Sequence, residues 1–139
     1  MSQRTEIENA LYRWAWAYDE CDLEAFLDAL TEDATVRVED AGGGMVGPLV
    51  GHDEIGAFFG SRLAVRTDAR RHITTNVIID AESEDEATTR CYLTLVKYED
   101  GLPTLAGTGW YRDTLVKRGG VWRIKDRHAY LETMGIPKP

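Results

Sequence analysis

Apolar residues recur at Ile7, Ala10, Leu11, Trp14 and Tyr18, a spacing that draws one stripe along a helix from Gln3 to about Tyr18. Tyr12 and Trp16 fall on the opposite side, as scattered surface aromatics or as a second covered surface such as a subunit contact. Asp22 stands where an N-cap belongs, and Leu23, Phe26, Leu27 and Leu30 share one face, so a second helix is predicted over Leu23 to Leu30. Thr31-Glu32-Asp33 breaks that pattern. Ala34 to Val38 alternates as a short strand, Gly42-Gly43-Gly44 reads as a loop, and Pro48 to Gly51 as a brief extended piece. Ile55, Phe58, Phe59 and Leu63 mark a third helix from Asp53 to about Leu63, with His52 as a cap or surface residue ahead of it.

Beyond Thr67-Asp68 the pattern changes to one rich in β-formers. Four strands are predicted: His72 to Ala81, Ala87 to Tyr98, Thr104 to Lys117, and Val121 to Leu131. Glu82-Ser83-Glu84-Asp85, Glu99-Asp100-Gly101 and Arg118-Gly119-Gly120 separate them as hairpin turns, and Thr133 to Pro139 reads as a tail. Helices followed by a β-meander make an α+β domain with one sheet face covered by helices. No linker, repeat or low-complexity stretch divides it, so one domain is expected over residues 1–139.

Composition narrows the class. The chain has 43% hydrophobic and 29% charged residues, an ordinary globular balance. It shows no apolar run of signal-peptide length and none near the roughly 20 residues that span a bilayer. A cytoplasmic protein is the expectation. A net charge of −8 without a basic stripe argues against nucleic acid or an anionic membrane as partner. Cys21 and Cys91 lack metal or redox spacing and are expected as free, small core thiols. The triple glycine has no Lys-Ser/Thr after it, so it is no phosphate loop. The three histidines, 52, 72 and 128, lack metal-ligand spacing, and no dinucleotide fingerprint occurs, so no metal or cofactor is expected.

The frame Trp14-x-x-x-Tyr18-Asp19-x-x-Asp22, then Leu30-Thr31-Glu32-Asp33-Ala34, Arg71-His72-x-x-x-Asn76, and Gly120-Val121-Trp122-Arg123-Ile124-x-x-Arg127 resembles the SnoaL-like branch of the NTF2-like superfamily. Within that branch the pattern is similar to scytalone dehydratase and hexachlorocyclohexane dehydrochlorinase. The resemblance spans nearly the whole chain. It implies a cone, a strongly curved sheet around helices with an open-ended pocket, and a homo-oligomer, dimer or trimer. It also implies an Asp19-His72 pair for proton abstraction, Arg127 as a pocket arginine, and Trp14, Tyr18, Asn76 and Tyr98 as substrate-binding positions. Two departures stand out. The dehydrochlorinase has a lysine where Trp14 aligns, and the second histidine of scytalone dehydratase falls near Tyr98.

Those residue types suit the chemistry. Removing a proton from carbon needs a base that titrates near working pH, the natural role of histidine. A carboxylate such as Asp19 selects its tautomer and steadies the imidazolium, while Arg127, Tyr18 or Tyr98 can donate to the leaving group or enolate. The expected function is a cofactor-independent lyase or isomerase acting on a small, mostly apolar, cyclic molecule. The alternatives are a non-catalytic binding or assembly subunit, or an epoxide hydrolase or polyketide cyclase using Asp126. Strict alternation in the last strand puts Trp122, Ile124, Asp126, His128 and Tyr130 on one face. With Trp122 and Ile124 in the core, Arg127 would point outward and Asp126 or His128 inward, unless a bulge shifts the register.

Overall fold

A computed structural model describes residues 1–132 as three helices and a six-stranded sheet, an α+β cone. The tail expected from Thr133 onward lies outside the described residues. In chain order the elements are α1 (Gln3–Asp19), α2 (Leu23–Asp28), β1 (Leu30–Asp40), β2 (Met45–Val50), α3 (Gly51–Val65), β3 (Ala69–Glu82), β4 (Glu86–Glu99), β5 (Leu102–Arg118) and β6 (Val121–Leu131). The sheet runs β2-β1-β6-β5-β4-β3, with β1 parallel to β6 and every other neighbouring pair antiparallel. The helices lie within its curve: α1 meets β3 and β6, and α3 meets β1 and β2.

The apolar stripe of α1 does what its spacing predicts. Ile7, Ala10, Leu11 and Trp14 are buried, and they join Phe26, Ile55, Phe59, Leu115, Trp122 and Ile124 in one core. Tyr12 and Trp16 stay exposed, Trp16 at 75%. Ser2 caps α1 by accepting from the Thr5 N–H (3.2 Å), and Asp22 caps α2 by accepting from Ala25 (3.0 Å). The second helix stops at Asp28 rather than Leu30. The Ile124 N–H donates to the Ala29 carbonyl (3.0 Å) and Leu30 pairs with Ile124, so sheet bonding claims the segment that periodicity assigns to a helix. For the same reason Thr31-Glu32-Asp33 lies within β1. Pro48 sits in β2, an edge strand, where a missing N–H breaks no ladder.

Two irregularities decide which side chains face inward. In β3, Asn76 and Val77 together oppose Cys91, between the pairs Thr75 with Tyr92 and Ile78 with Arg90. This bulge places Asn76 at φ 55° and turns Val77 and Ile79 onto the core. In β6, Ile124 pairs with Leu115 and Asp126 with Thr114, leaving Lys125 as the extra residue. The alternation therefore resets after Ile124.

The end of α1 is closed by two further bonds. Asp22 N–H reaches the Ala17 carbonyl (2.9 Å) and Cys21 N–H reaches Tyr18 (3.1 Å), with Cys21 in the left-handed region at φ 56°. Glycine usually holds that position because it has no Cβ to clash. Cys21 is thus an exposed turn residue, correcting the expectation of two core thiols, whereas Cys91 is buried. Replacing Cys21 by Gly is expected to raise stability by about 0.5–1 kcal/mol, read from the urea midpoint at unchanged slope. A disulfide reagent at about pH 8 will modify Cys21 alone in the native protein, because burial pushes the Cys91 thiol up to about 11. Both thiols will react once the chain is denatured.

Candidate active site

The open end of the cone holds a cavity of about 400 Å³. Alternation along the strands aims Asp68, Arg70 and His72 into it from β3 and its approach, Leu93, Leu95 and Lys97 from β4, Tyr111 from β5, and Arg127 and Ala129 from β6. From the helices come Trp14, Tyr18, Phe58, Phe59, Arg62 and Arg66. Side-chain exposure falls from 25% at Lys97 and 21% at Arg70, on the rim, to 7% at His72 and 1% at Arg127.

His72 and Asp19 meet there. The His72 Nδ1 lies 2.5 Å from Asp19 Oδ1, and the His72 backbone N–H donates to both carboxylate oxygens, at 3.1 and 3.0 Å. As the final residue of α1, Asp19 is turned toward β3 by the tight helix closure. Arg66 stands behind it, donating to the backbone carbonyls of Tyr18 (3.0 Å) and Asp19. Those are carbonyls a helix end leaves without intrahelical partners. With Nδ1–H given to Asp19, the tautomer leaves Nε2 as a lone-pair acceptor, and Nε2 has no partner among the described residues. The Tyr18 ring packs 4.3 Å from the imidazole and Trp14 lies edge-on at 6.2 Å.

Deeper in, the bulge at Lys125 delivers Arg127 to the interior. Arg127 forms a two-pronged pair with Asp113, Nε to Oδ1 at 2.7 Å and Nη2 to Oδ2 at 2.9 Å. Its guanidinium also lies 3.8 Å from the Tyr111 ring centre and 4.4 Å from that of Trp14. Burial works against the Arg127 charge, but the adjacent Asp113 carboxylate outweighs it and holds the guanidinium protonated more firmly than usual. The two parallel N–H bonds are those of an ion pair. Arg127 Nη1 and Trp14 Nε1 remain without partners, two donors among the cavity's lining residues. Burial likewise raises the Tyr18 and Tyr111 hydroxyls above the ordinary phenol range, so both remain phenols that can donate.

Several expected positions fall elsewhere. Asp126 is exposed and His128 faces the outer side of the sheet, where its Nδ1 lies 3.0 Å from Arg37 Nη2, because the same bulge that turns Arg127 in turns them out. Asn76 is taken up by the bulge in β3 and is exposed. Tyr98 follows Lys97, which lines the cavity, so alternation sends it outward beside Arg71. Neither Asn76 nor Tyr98 lines the cavity. Conversely, Tyr111, Asp113, Arg66 and the rim cations were not foreseen. Alternation in β5 puts Tyr111 and Asp113 on one face, but nothing in the residue pattern makes that face the inner one, as it is in the fold.

Among the described residues no three His, Cys, Asp or Glu side chains gather as a metal site, and no helix is long and apolar enough to cross a membrane. The family described as the SnoaL-like domain matches residues 1–128. The chain belongs to the SnoaL-like family. Terrestric acid biosynthesis cluster protein E of Penicillium crustosum is 31% identical over 141 residues, covering 96% of this chain and 84% of that protein. Two solved structures from Novosphingobium aromaticivorans share the fold. One is an NTF2-like protein with a cystatin-like fold, at TM-score 0.74 and 23% identity over 92% of this chain and 80% of that one. The other is a candidate scytalone dehydratase, at TM-score 0.75 and 22% identity over 99% of this chain and 88% of that one.

In this SnoaL-like domain the Arg127–Asp113 pair is fully buried, which fixes how it responds to substitution. Arg127→Met alone is expected to cost about 3–5 kcal/mol, because it strands the Asp113 carboxylate. Arg127→Met combined with Asp113→Leu should recover most of that loss. Urea unfolding of the single and double variants measures the difference, and equal losses in both would remove the ion pair as the cause.

Proposed function

We propose that this SnoaL-like domain is a cofactor-independent lyase or isomerase that abstracts a proton from carbon in a small cyclic substrate, with His72 as base and Asp19 as its orienting carboxylate. The observation that carries this reading is the 2.5 Å contact between His72 Nδ1 and Asp19 beside an unpartnered, cavity-facing imidazole edge. Nε2 takes the proton from carbon while Asp19 steadies the imidazolium. The electron pair left behind either forms an enolate or expels a hydroxide or halide from the adjacent carbon. In this reading the Tyr18 hydroxyl and Arg127, both lining the cavity, serve as the donors to that developing negative charge, and the unpartnered Arg127 Nη1 supports that role. The imidazolium then gives up its proton: to the departing hydroxide in a dehydration, to solvent once a halide has left, or to another carbon in an isomerisation. Phe58, Phe59, Leu93 and Leu95 supply the apolar wall for the ring.

A binding or assembly subunit would leave an imidazole fixed in one tautomer without a task, and the hydrolase or cyclase reading loses Asp126 to the outer face. The relative from a biosynthesis cluster is consistent with small-molecule chemistry. A dimer or trimer belongs to the same proposal, with exposed Tyr12 and Trp16 as candidate contact residues, and light scattering on Trp16→Ala tests it. The chemical test is a screen of small hydroxylated and halogenated ring compounds. Turnover is expected to fall by about 10²–10⁴ in His72→Ala, and Asp19→Asn to lower it by about 10² or more. Equal turnover by wild type and His72→Ala would end the proposal.

A further inference from the structure

The cavity carries a charge opposite to that of the chain. The sequence has a net charge of −8, yet Arg62, Arg66, Arg70 and Lys97 line the rim and Asp68 is the one carboxylate among the cavity's lining residues. Four cations less one anion leave an excess of three positive charges there, and counting Asp19 beside His72 still leaves two. Asp68 is shared by three of the four: Arg70 bonds it at 2.6 Å, while Lys97 and Arg66 stand at 3.8 and 3.9 Å, beyond hydrogen-bond reach. Arg62 makes no ion pair among the described residues and lies over the Phe58 ring at 4.4 Å. Arg66, only 8% exposed, keeps a buried Nε without a partner. Such a rim is electrostatically incomplete, and clefts of one sign concentrate ligands of the other.

We infer that the substrate is an organic anion: an apolar ring carrying an acid group, with the acid held at the rim by Arg62, Arg66 and Lys97 and the ring extending inward to His72. This rests on the reading of His72 as base and adds the substrate's charge class. A negative group at the rim completes the ligation of Arg66 and Lys97, and the aromatic wall at Phe58 and Phe59 receives the ring. Proton abstraction also gains, since rim cations favour the negative charge that develops on the substrate.

Two matched fluorescent probes test it without requiring turnover: 1-anilinonaphthalene-8-sulfonate and the uncharged N-phenyl-1-naphthylamine. The anionic probe should bind wild type at least about tenfold more tightly at ~0.01 M salt, with the advantage shrinking toward ~1 M as screening shortens. Arg62→Gln with Lys97→Gln should erase most of that preference and leave the neutral probe unchanged, whereas Arg112→Gln on the outer sheet face should change neither. Equal affinity for the two probes in wild type would overturn the inference, as would loss of the preference in Arg112→Gln instead. His72→Ala should keep the anion preference, so failure of the proposed chemistry and failure of the proposed substrate charge are read separately.

Discussion

One carboxylate joins the two halves of the cone at its working end. Asp19 ends α1, and its oxygens accept from both the backbone and the side chain of His72 on β3. The backbone bonds fix the strand against the helix, and the side-chain bond fixes the imidazole against the strand. Fold and the proposed chemistry therefore share an anchor. Because Asp19 is itself only 9% exposed, the contact carries a desolvation cost that the two N–H donors of His72, one of them shared between both oxygens, must offset. The helix closure through Ala17 and Tyr18, and Arg66 on the carbonyls behind, hold the carboxylate in that position.

Much of this could be read from residues alone, because the features concerned obey local rules. The helix stripe at Ile7, Ala10, Leu11 and Trp14, the cap at Asp22 and the hairpin turns each follow from period or turn chemistry, and all are present. The pairing of Asp19 with His72 was reachable only through family pattern. No spacing rule connects a helix end to a strand start fifty-three residues later. The misplacements of Asn76 and Tyr98 have local causes. Each depends on which parity of a strand faces inward, and a single inserted residue reverses that parity for everything beyond it.

The bulge at Lys125 shows how much depends on such an insertion. Without it, continued alternation from Trp122 and Ile124 would bury Asp126 and His128 and expose Arg127. With it, the interior receives a cation that already has a carboxylate waiting on β5, and the outer face receives an acid and a histidine that water can reach. The partner explains the register: an arginine buried without Asp113 would be prohibitively costly, so the bulge and the ion pair stand or fall together.

Arg66 links the deep dyad to the rim. Two of its nitrogens hold the α1 carbonyls that position Asp19, and the third, Nε, is left unsatisfied 3.9 Å from Asp68. An anion that completed this guanidinium would stiffen the same helix end that holds Asp19 against His72, so the proposed substrate charge and the geometry of the proposed base would meet in one side chain. Substitution of Arg66 would disturb both at once and separate nothing. Arg62 and Lys97 have no bond to α1 among the described residues, which makes them the places where recognition of charge can be altered while the Asp19–His72 contact is left standing.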